Sequence, residues 1–221
     1  MTNSVIICDF DGTITETDNI IAIMKKFAPP EWVELKNGVL SQAVSIREGV
    51  GKMFQLLPSS AKNEIVDYIL HHAEIRSGFH DFVRYTKEKN IPLYIVSGGI
   101  DFFVYPLLEG LIDKDKIYCN KADFTNEKIK IGWPHSCDHT CENDCGCCKP
   151  SIIRQLTNSN QRKIVIGDSI TDLQAAKLAD FVIARDLLLD KSIELHLPHK
   201  PFTTFYDVID VLESLEQEVQ A

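Results

Sequence analysis

Four short polar groups stand in this chain where a reactive site can be assembled: Asp9-Phe10-Asp11-Gly12-Thr13, Ser97-Gly98-Gly99, Lys149-Pro150 and Gly167-Asp168-Ser169-Ile170-Thr171-Asp172. Their residue types meet the demands of phosphate monoester cleavage, whose uncatalysed barrier is so high that enhancements reach ~10²¹-fold. A carboxylate nucleophile splits that barrier into two steps. One anion attacking another needs its charge neutralised, which Mg²⁺ and a lysine can supply. A second carboxylic acid must protonate the leaving oxygen and later take a proton from water. Asp9 is the candidate nucleophile. Asp11, two residues on, is the candidate acid/base and shares its face if the backbone is extended. Ser97, the Gly98 amide and Lys149 are candidate phosphate ligands, and Asp168 and Asp172 offer carboxylates for the metal.

Each group alone has a plainer reading. Aspartates at strand ends are often turn or cap residues, and Ser-Gly-Gly is an ordinary strand-to-helix turn. Asp168 and Asp172 suit a helix cap and first turn. Lys149 at a helix start is unfavourable against the helix dipole, which a bound anion would relieve. It is the order and placement of the four groups together that favour the chemical reading.

That placement follows from the elements. Val5-Ile6-Ile7-Cys8, Leu93-Tyr94-Ile95-Val96, Ile117-Tyr118-Cys119, Ile164-Val165-Ile166 and Phe181-Val182-Ile183-Ala184 are short, largely β-branched runs, as expected of fully buried strands. Helical stretches separate them, at about 79–89, 151–156 and 171–178, with a closing amphipathic helix over 205–219. Strands alternating with helices predict an α/β fold, a doubly wound parallel sheet with a Rossmann-like core. In such sheets ligands bind beyond the carboxyl ends of the strands, where the four groups fall.

Residues 16–77 interrupt this rhythm with helical patterns (20–27, 40–56, 61–73) and no convincing strand. They are expected to form a small helical cap domain on a core made of 1–15 and 78–221. Asp18 and Arg47 are its candidate substrate contacts, each read equally well as a solvated surface charge. Phe27, Trp32, Met53 and Phe54 can line an apolar pocket, or simply fill the cap's core. Residues 122–131 read as a hairpin turning at Thr125-Asn126-Glu127. A cysteine-rich loop follows over 132–148. Cys137, Cys141, Cys145, Cys147 and Cys148, with His135 and His139 nearby, are candidate ligands of a structural Zn²⁺, or a loop of packed thiols.

The 221 residues carry a formal charge of −9 with 44% hydrophobic and 25% charged residues. The composition is that of a globular protein with a real core, and the charge disfavours nucleic acid and anionic lipid as partners. A phosphorylated small molecule remains compatible, because a site needs only a metal and one or two local cations. Met1 to Ser4 lead into an apolar stretch too short for a signal peptide, and no run is long enough for a membrane span. The expectation is a cytoplasmic protein, monomer or homodimer, with seven cysteines held mostly as thiols.

The four motifs in this order resemble those of the haloacid dehalogenase superfamily over almost the whole chain, and the helical insertion is similar to the cap of its phosphoserine-phosphatase-like branch. The resemblance implies a phosphomonoesterase with an aspartyl-phosphate intermediate. It makes Asp9 nucleophile and metal ligand, Asp11 acid/base and carbonyl ligand of the metal, Asp168 a further Mg²⁺ ligand, and Ser97 and Lys149 phosphate ligands. Asp172 supports the lysine or the metal shell. Asp11 argues against dehalogenase and phosphonate-cleaving relatives, but not against a phosphomutase. In the phosphoserine branch an acidic residue and an arginine of the cap read the substrate. Asp18 is shorter than the expected glutamate and the spacing does not fix Arg47, which weakens phosphoserine as substrate. Gly132-Trp133-Pro134-His135 and the cysteines ahead of Lys149 are similar to methionine-salvage phosphatases of that branch. Phosphoserine, phosphocholine and phosphoethanolamine stay open as substrates, and a non-catalytic zinc-binding interaction module is the alternative from another class.

Overall fold

The computed structural model describes residues 3–41 and 43–220. Seven strands form one sheet in the order β4-β3-β2-β1-β5-β6-β7. They are β1 (Ser4–Cys8), β2 (Leu93–Ile100), β3 (Ile117–Asp123), β4 (Lys130–Gly132), β5 (Arg162–Gly167), β6 (Phe181–Ala184) and β7 (His199–Pro201). Every pairing is parallel except that of β3 with β4, where Ala122 faces Ile131 as the expected hairpin requires.

β1 lies at the centre, hydrogen-bonded on both edges and buried throughout. Its side chains alternate: Ile6 and Cys8 join one apolar cluster, Val5 and Ile7 a second on the opposite face. Both faces are therefore covered, which is why the strand is a continuous apolar run and not an alternating one. Helices α5 (Phe79–Glu88) and α10 (Phe205–Gln220) cover the first face, where the ring centroids of Phe79 and Phe82 lie 5.0 Å from that of Phe205. Full burial of each ring contributes roughly 1.5–3 kcal/mol. Helices α7 (Lys149–Leu156) and α8 (Leu173–Ala176) cover the second face.

Between β1 and α5 the described residues form α1 (Asn19–Phe27), α2 (Trp32–Leu40), α3 (Ile46–Gln55) and α4 (Lys62–His72), and no strand of the sheet. The helix expected over 40–56 starts later than that: α3 begins after Ser45, whose side chain accepts the Glu48 N–H at 3.1 Å, and α2, which ends at Leu40, was not anticipated. Ser-x-x-Glu is a helix-start signature that outweighed the continuing apolar period. Trp32, Met53 and Phe54 are buried and join the same cluster as Ile6, so they pack as core. Phe27 is half-buried, edge-on to Tyr68 at 5.4 Å.

Helices α6 (Asp101–Leu107) and α9 (Asp186–Glu194) and strand β7 were not anticipated. β7 is the edge strand His-Lys-Pro, with no apolar run to announce it. Among the described residues no helix is long and apolar enough to cross a membrane.

Candidate active site

The chain leaves β1 into a turn wound on one atom. The N–H groups of Thr13, Ile14 and Thr15 all donate to the Phe10 carbonyl, at 3.3, 2.8 and 3.0 Å, and the Phe10 ring is fully buried beneath them. Gly12 takes φ +81°, and a Cβ there would stand 2.4 Å from Asp168 Oδ2. Glycine is required both by the backbone and by that close approach. Asp9 and Asp11 stand at the mouth of this turn, and each carboxylate has its own neighbours.

Asp9 is 5% exposed and its Oδ1 accepts from the Lys149 ammonium at 2.5 Å. Lys149 also pairs with Asp172. Asp172 uses its other oxygen to accept the N–H groups of Asp168 at 3.2 Å and Ser169 at 3.0 Å. Ser169 and Asp172 close a capping box at the 3₁₀ turn Ile170–Asp172. Gly167 lets Asp172 approach so closely, since a Cβ there would lie 2.6 Å from the Asp172 carboxyl carbon. Asp168 is half-buried and accepts the Thr13 hydroxyl at 3.0 Å.

Asp11 faces the helical segment. Its Oδ1 accepts the Asn19 backbone N–H at 3.0 Å and the Asn19 side-chain amide at 2.7 Å, while its Oδ2 accepts the Ser97 hydroxyl at 3.4 Å. Ser97 is fully buried and also receives the Gly99 N–H at 2.8 Å. Ser97-Gly98-Gly99 was expected beyond the end of its strand. It lies instead within β2, at a register shift between Val96 and Ile100. Such irregularities re-aim side chains beside active sites. The Gly98 carbonyl accepts the Asn120 side-chain amide at 2.8 Å, and nothing lies within 4 Å of a Cβ placed on Gly98.

The electrostatics follow from burial. Desolvation and the neighbouring Asp172 raise the pKa of Asp9 well above the carboxylate range, with Lys149 pulling it back. Desolvation and the charge of Asp18 bring Asp11 up to about 7, against the two hydrogen bonds from Asn19. Asp168 rises to about 6 through burial and Asp172. Burial works against the Lys149 ammonium, but Asp172 and Asp9 overcome it and hold its pKa above the ordinary lysine range. Carboxylate oxygens of Asp9, Asp168 and Asp172 all lie within 4.8 Å of one another. Fully ionised, these three carboxylates against one ammonium leave two surplus negative charges. An all-oxygen donor set with that surplus fits a hard divalent cation such as Mg²⁺. Both Asp172 oxygens are already engaged, by Lys149 on one side and by backbone N–H groups on the other. That leaves Asp9 and Asp168 as the carboxylates free to ligate.

Several of the site's supports were missed in the sequence. Asn19 was invisible because its partner lies eight residues upstream, although Asp18-Asn19 before an apolar run reads as a helix start. Arg76 is 3% exposed, and donates to the carbonyls of Thr13 at 2.7 Å and Gly12 at 2.9 Å while pairing with Glu16 at 2.6 Å. A lone arginine before a helix gave no sign of that. The two candidate cap contacts have other partners. Asp18 caps α1 through the Ile21 N–H at 3.0 Å, although it is near enough to raise Asp11. Arg47 pairs with Asp144 of the cysteine loop at 3.3 Å, and so is turned to that loop. A groove of about 650 Å³ lined by Asp67, Asp101, Tyr105 and Phe124 holds none of the site carboxylates.

A Rossmann-like sheet with carboxylates after β1 and β5, a serine within β2 and a lysine at the start of α7 defines a class, and residues 6–177 match the family of haloacid dehalogenase-like hydrolases. The chain belongs to that family, and it is a phosphoric monoester hydrolase. It is 65% identical over 212 residues to a 2-hydroxy-3-keto-5-methylthiopentenyl-1-phosphate phosphatase from Geobacillus thermodenitrificans (strain NG80-2), covering 96% of each chain. A phosphatase of the same name from Bacillus velezensis (strain DSM 23117 / BGSC 10A6 / LMG 26770 / FZB42) is 58% identical, over 98% of this chain and 92% of the relative. Among solved structures, a substrate-bound phosphoserine phosphatase complex superposes with a TM-score of 0.72 at 16% identity, covering 96% of this chain and 99% of that one. At that identity the likeness is one of fold.

Proposed function

We propose that this chain hydrolyses 2-hydroxy-3-keto-5-methylthiopentenyl-1-phosphate to 1,2-dihydroxy-3-keto-5-methylthiopentene, the dephosphorylation step of methionine salvage, through a phosphoryl group carried on Asp9. The reading of the substrate is supported by relatives of that name at 65% and 58% identity along nearly the whole chain. The observation that carries the mechanism is the difference in surroundings between two aspartates, Asp9 buried and Asp11 half-buried. Asp9 is held against a permanent cation, whereas Asp11 sits near pH 7 against an amide and a hydroxyl.

Asp9, Asp168 and the Asp11 carbonyl would hold Mg²⁺, which when bound supplies positive charge to offset the phosphate dianion. Lys149 orients Asp9 and favours its ionised form against burial and Asp172, a bound cation would favour that form further, and the ammonium also faces the phosphate. Asp9 attacks phosphorus while protonated Asp11 gives its proton to the leaving oxygen. Asp11, now a carboxylate, takes a proton from the water that attacks the phosphoryl-Asp9 bond, which returns both residues to their starting states. A group at about 7 can serve both directions near neutral pH, where Brønsted behaviour favours it. Ser97 and the Gly98 amide bind the non-bridging oxygens, Asp172 positions Lys149, and residues 16–77 act as the cap that excludes water. The protein works on a small phosphate ester in the cytoplasm, without nucleic acid or membrane as partner, as monomer or homodimer.

The test is Mg²⁺-dependent phosphate release from the salvage ester, phosphoserine, phosphocholine and phosphoethanolamine. The salvage ester should win in kcat/KM, and Asp9→Asn should abolish turnover of it. A preference for another ester overturns the substrate. Appreciable turnover by Asp9→Asn overturns the mechanism.

A further inference from the structure

Residues 133–148 form neither helix nor strand, and loops beyond about 12–15 residues without regular structure are uncommon in compact domains. This one is folded on itself around sulfur. The Sγ atoms of Cys137, Cys141, Cys145 and Cys148 all lie within 4.8 Å of one another, and those of Cys141 and Cys145 are 3.9 Å apart. A disulfide needs about 2.04 Å, and all four are free thiols. Four sulfurs held about 2.3 Å from one centre in a tetrahedron stand roughly 3.8 Å from each other. The observed spacing is therefore that of a ligand shell and not of two bridges.

The turns that gather the sulfurs are costly ones. Asp144 has φ +47° and Gly146 φ +79°, so the chain enters the left-handed region on both sides of Cys145. A Cβ at Gly146 would meet the Trp133 ring at 2.8 Å. The sulfurs also receive donors suited to thiolates: the Cys145 N–H reaches Cys137 Sγ at 3.5 Å and the Ser151 hydroxyl reaches Cys148 Sγ at 3.2 Å. The fifth cysteine expected here does not take part. Cys147 points the other way, into the cluster with Val5 and Ile152, its thiol toward the Tyr118 carbonyl at 3.7 Å. The imidazoles of His135 and His139 are outside the group as well.

We propose that Cys137, Cys141, Cys145 and Cys148 bind one structural Zn²⁺ as thiolates, releasing their protons on binding, and that this ion clasps the loop between the phosphate-binding lysine and the helical segment. Cys148 directly precedes Lys149 at the start of α7, and Ser151 and Arg154 of that helix tie back to Asp138 at 2.8 and 2.7 Å. On the other side Asp144 accepts Ser45 Oγ at 2.7 Å and pairs with Arg47. One ion thus fastens a loop that touches α3 and α7 at once.

The full-length protein, purified under reducing conditions without chelator and then titrated with Zn²⁺, should contain one zinc per chain by atomic emission. Cys147→Ser should retain it, and Cys141→Ser should lose most of it. Replacement by Co²⁺ in the wild-type chain should give thiolate-to-cobalt charge-transfer absorption and intense tetrahedral d–d bands, a readout that does not depend on any variant folding. Zinc-free wild-type protein after titration, a cobalt spectrum without thiolate bands, full zinc retention by Cys141→Ser, or a disulfide within the four in the native protein would each overturn the site. None of these readouts uses phosphate turnover, so they stand apart from the substrate assay.

Discussion

Replacing Asp172 by asparagine changes one oxygen for an NH₂ at a position that is 1% exposed, and the structure dictates the consequence. One Asp172 oxygen faces the Lys149 ammonium, and the other accepts from the N–H groups of Asp168 and Ser169 and from the Ser169 hydroxyl at 3.3 Å. Every neighbour is a donor. Whichever way the new amide is turned, its NH₂ meets either a buried ammonium or two backbone N–H groups. Breaking a buried pair in this way costs about 3–5 kcal/mol, and at ~2–4 °C per kcal/mol for a chain of this size Tm should fall by roughly 6–20 °C. Activity should fall too, because Lys149 then answers to Asp9 alone. Calorimetry with and without Mg²⁺, alongside kcat and KM for the preferred ester, tests both halves. A variant with wild-type Tm and turnover would refute the claim that Asp172 anchors the lysine.

Three further outcomes are expected. Asn19→Ala removes the side-chain hydrogen bond that stabilises ionised Asp11 and leaves the backbone N–H in place, so the alkaline limb of kcat against pH should move upward; an unmoved limb argues against Asp11 as the acid. Asp11 and Asp168 have folded pKa values raised to about 7 and about 6 from 3.8. Their contribution to stability is therefore full below about pH 4 and is lost as pH rises through 6 to 7. Scanning calorimetry of cation-free protein should show Tm falling across that window, with Mg²⁺ restoring it most at the alkaline end. Gly12→Ala forces a side chain to φ +81° and into the Asp168 carboxylate at 2.4 Å, so the Mg²⁺ concentration for half-maximal activity should rise several-fold; an unchanged value would contradict the packing described.

The strands at the centre of the sheet were legible because they are buried on two faces and must be apolar from end to end, as in Val5 to Cys8. The four motif groups were legible because parallel topology delivers strand ends to one edge. What escaped was carried by pairings that sequence separation hides. Arg76 reaches Gly12 and Thr13 from more than sixty positions away, and Asn19 reaches back to Asp11 through the geometry of a turn rather than by period. The start of α3 was written in Ser45 and Glu48 but lost beneath the apolar spacing before it. The cysteine group was visible as composition only. Nothing in the spacing distinguishes Cys147, which faces the sheet, from Cys148, whose sulfur joins the other three.

Arg76 has one more consequence. It is drawn from the last residues before α5, yet its guanidinium is spent on the carbonyls of the first turn, and a bridge between Thr15 and Ile75 lies beside it. The two points where the chain departs for α1–α4 and comes back are therefore riveted together on the core itself. Everything between Glu16 and Ile75 is thus closed off at its root, as a ring is by its clasp. Because closure entropy grows only slowly with loop length, residues added or removed in stretches that touch neither Asp11 nor the cysteine loop leave that closure standing, whereas Asp18 and Asn19 at its start and Ser45 and Arg47 within it are bound to their partners.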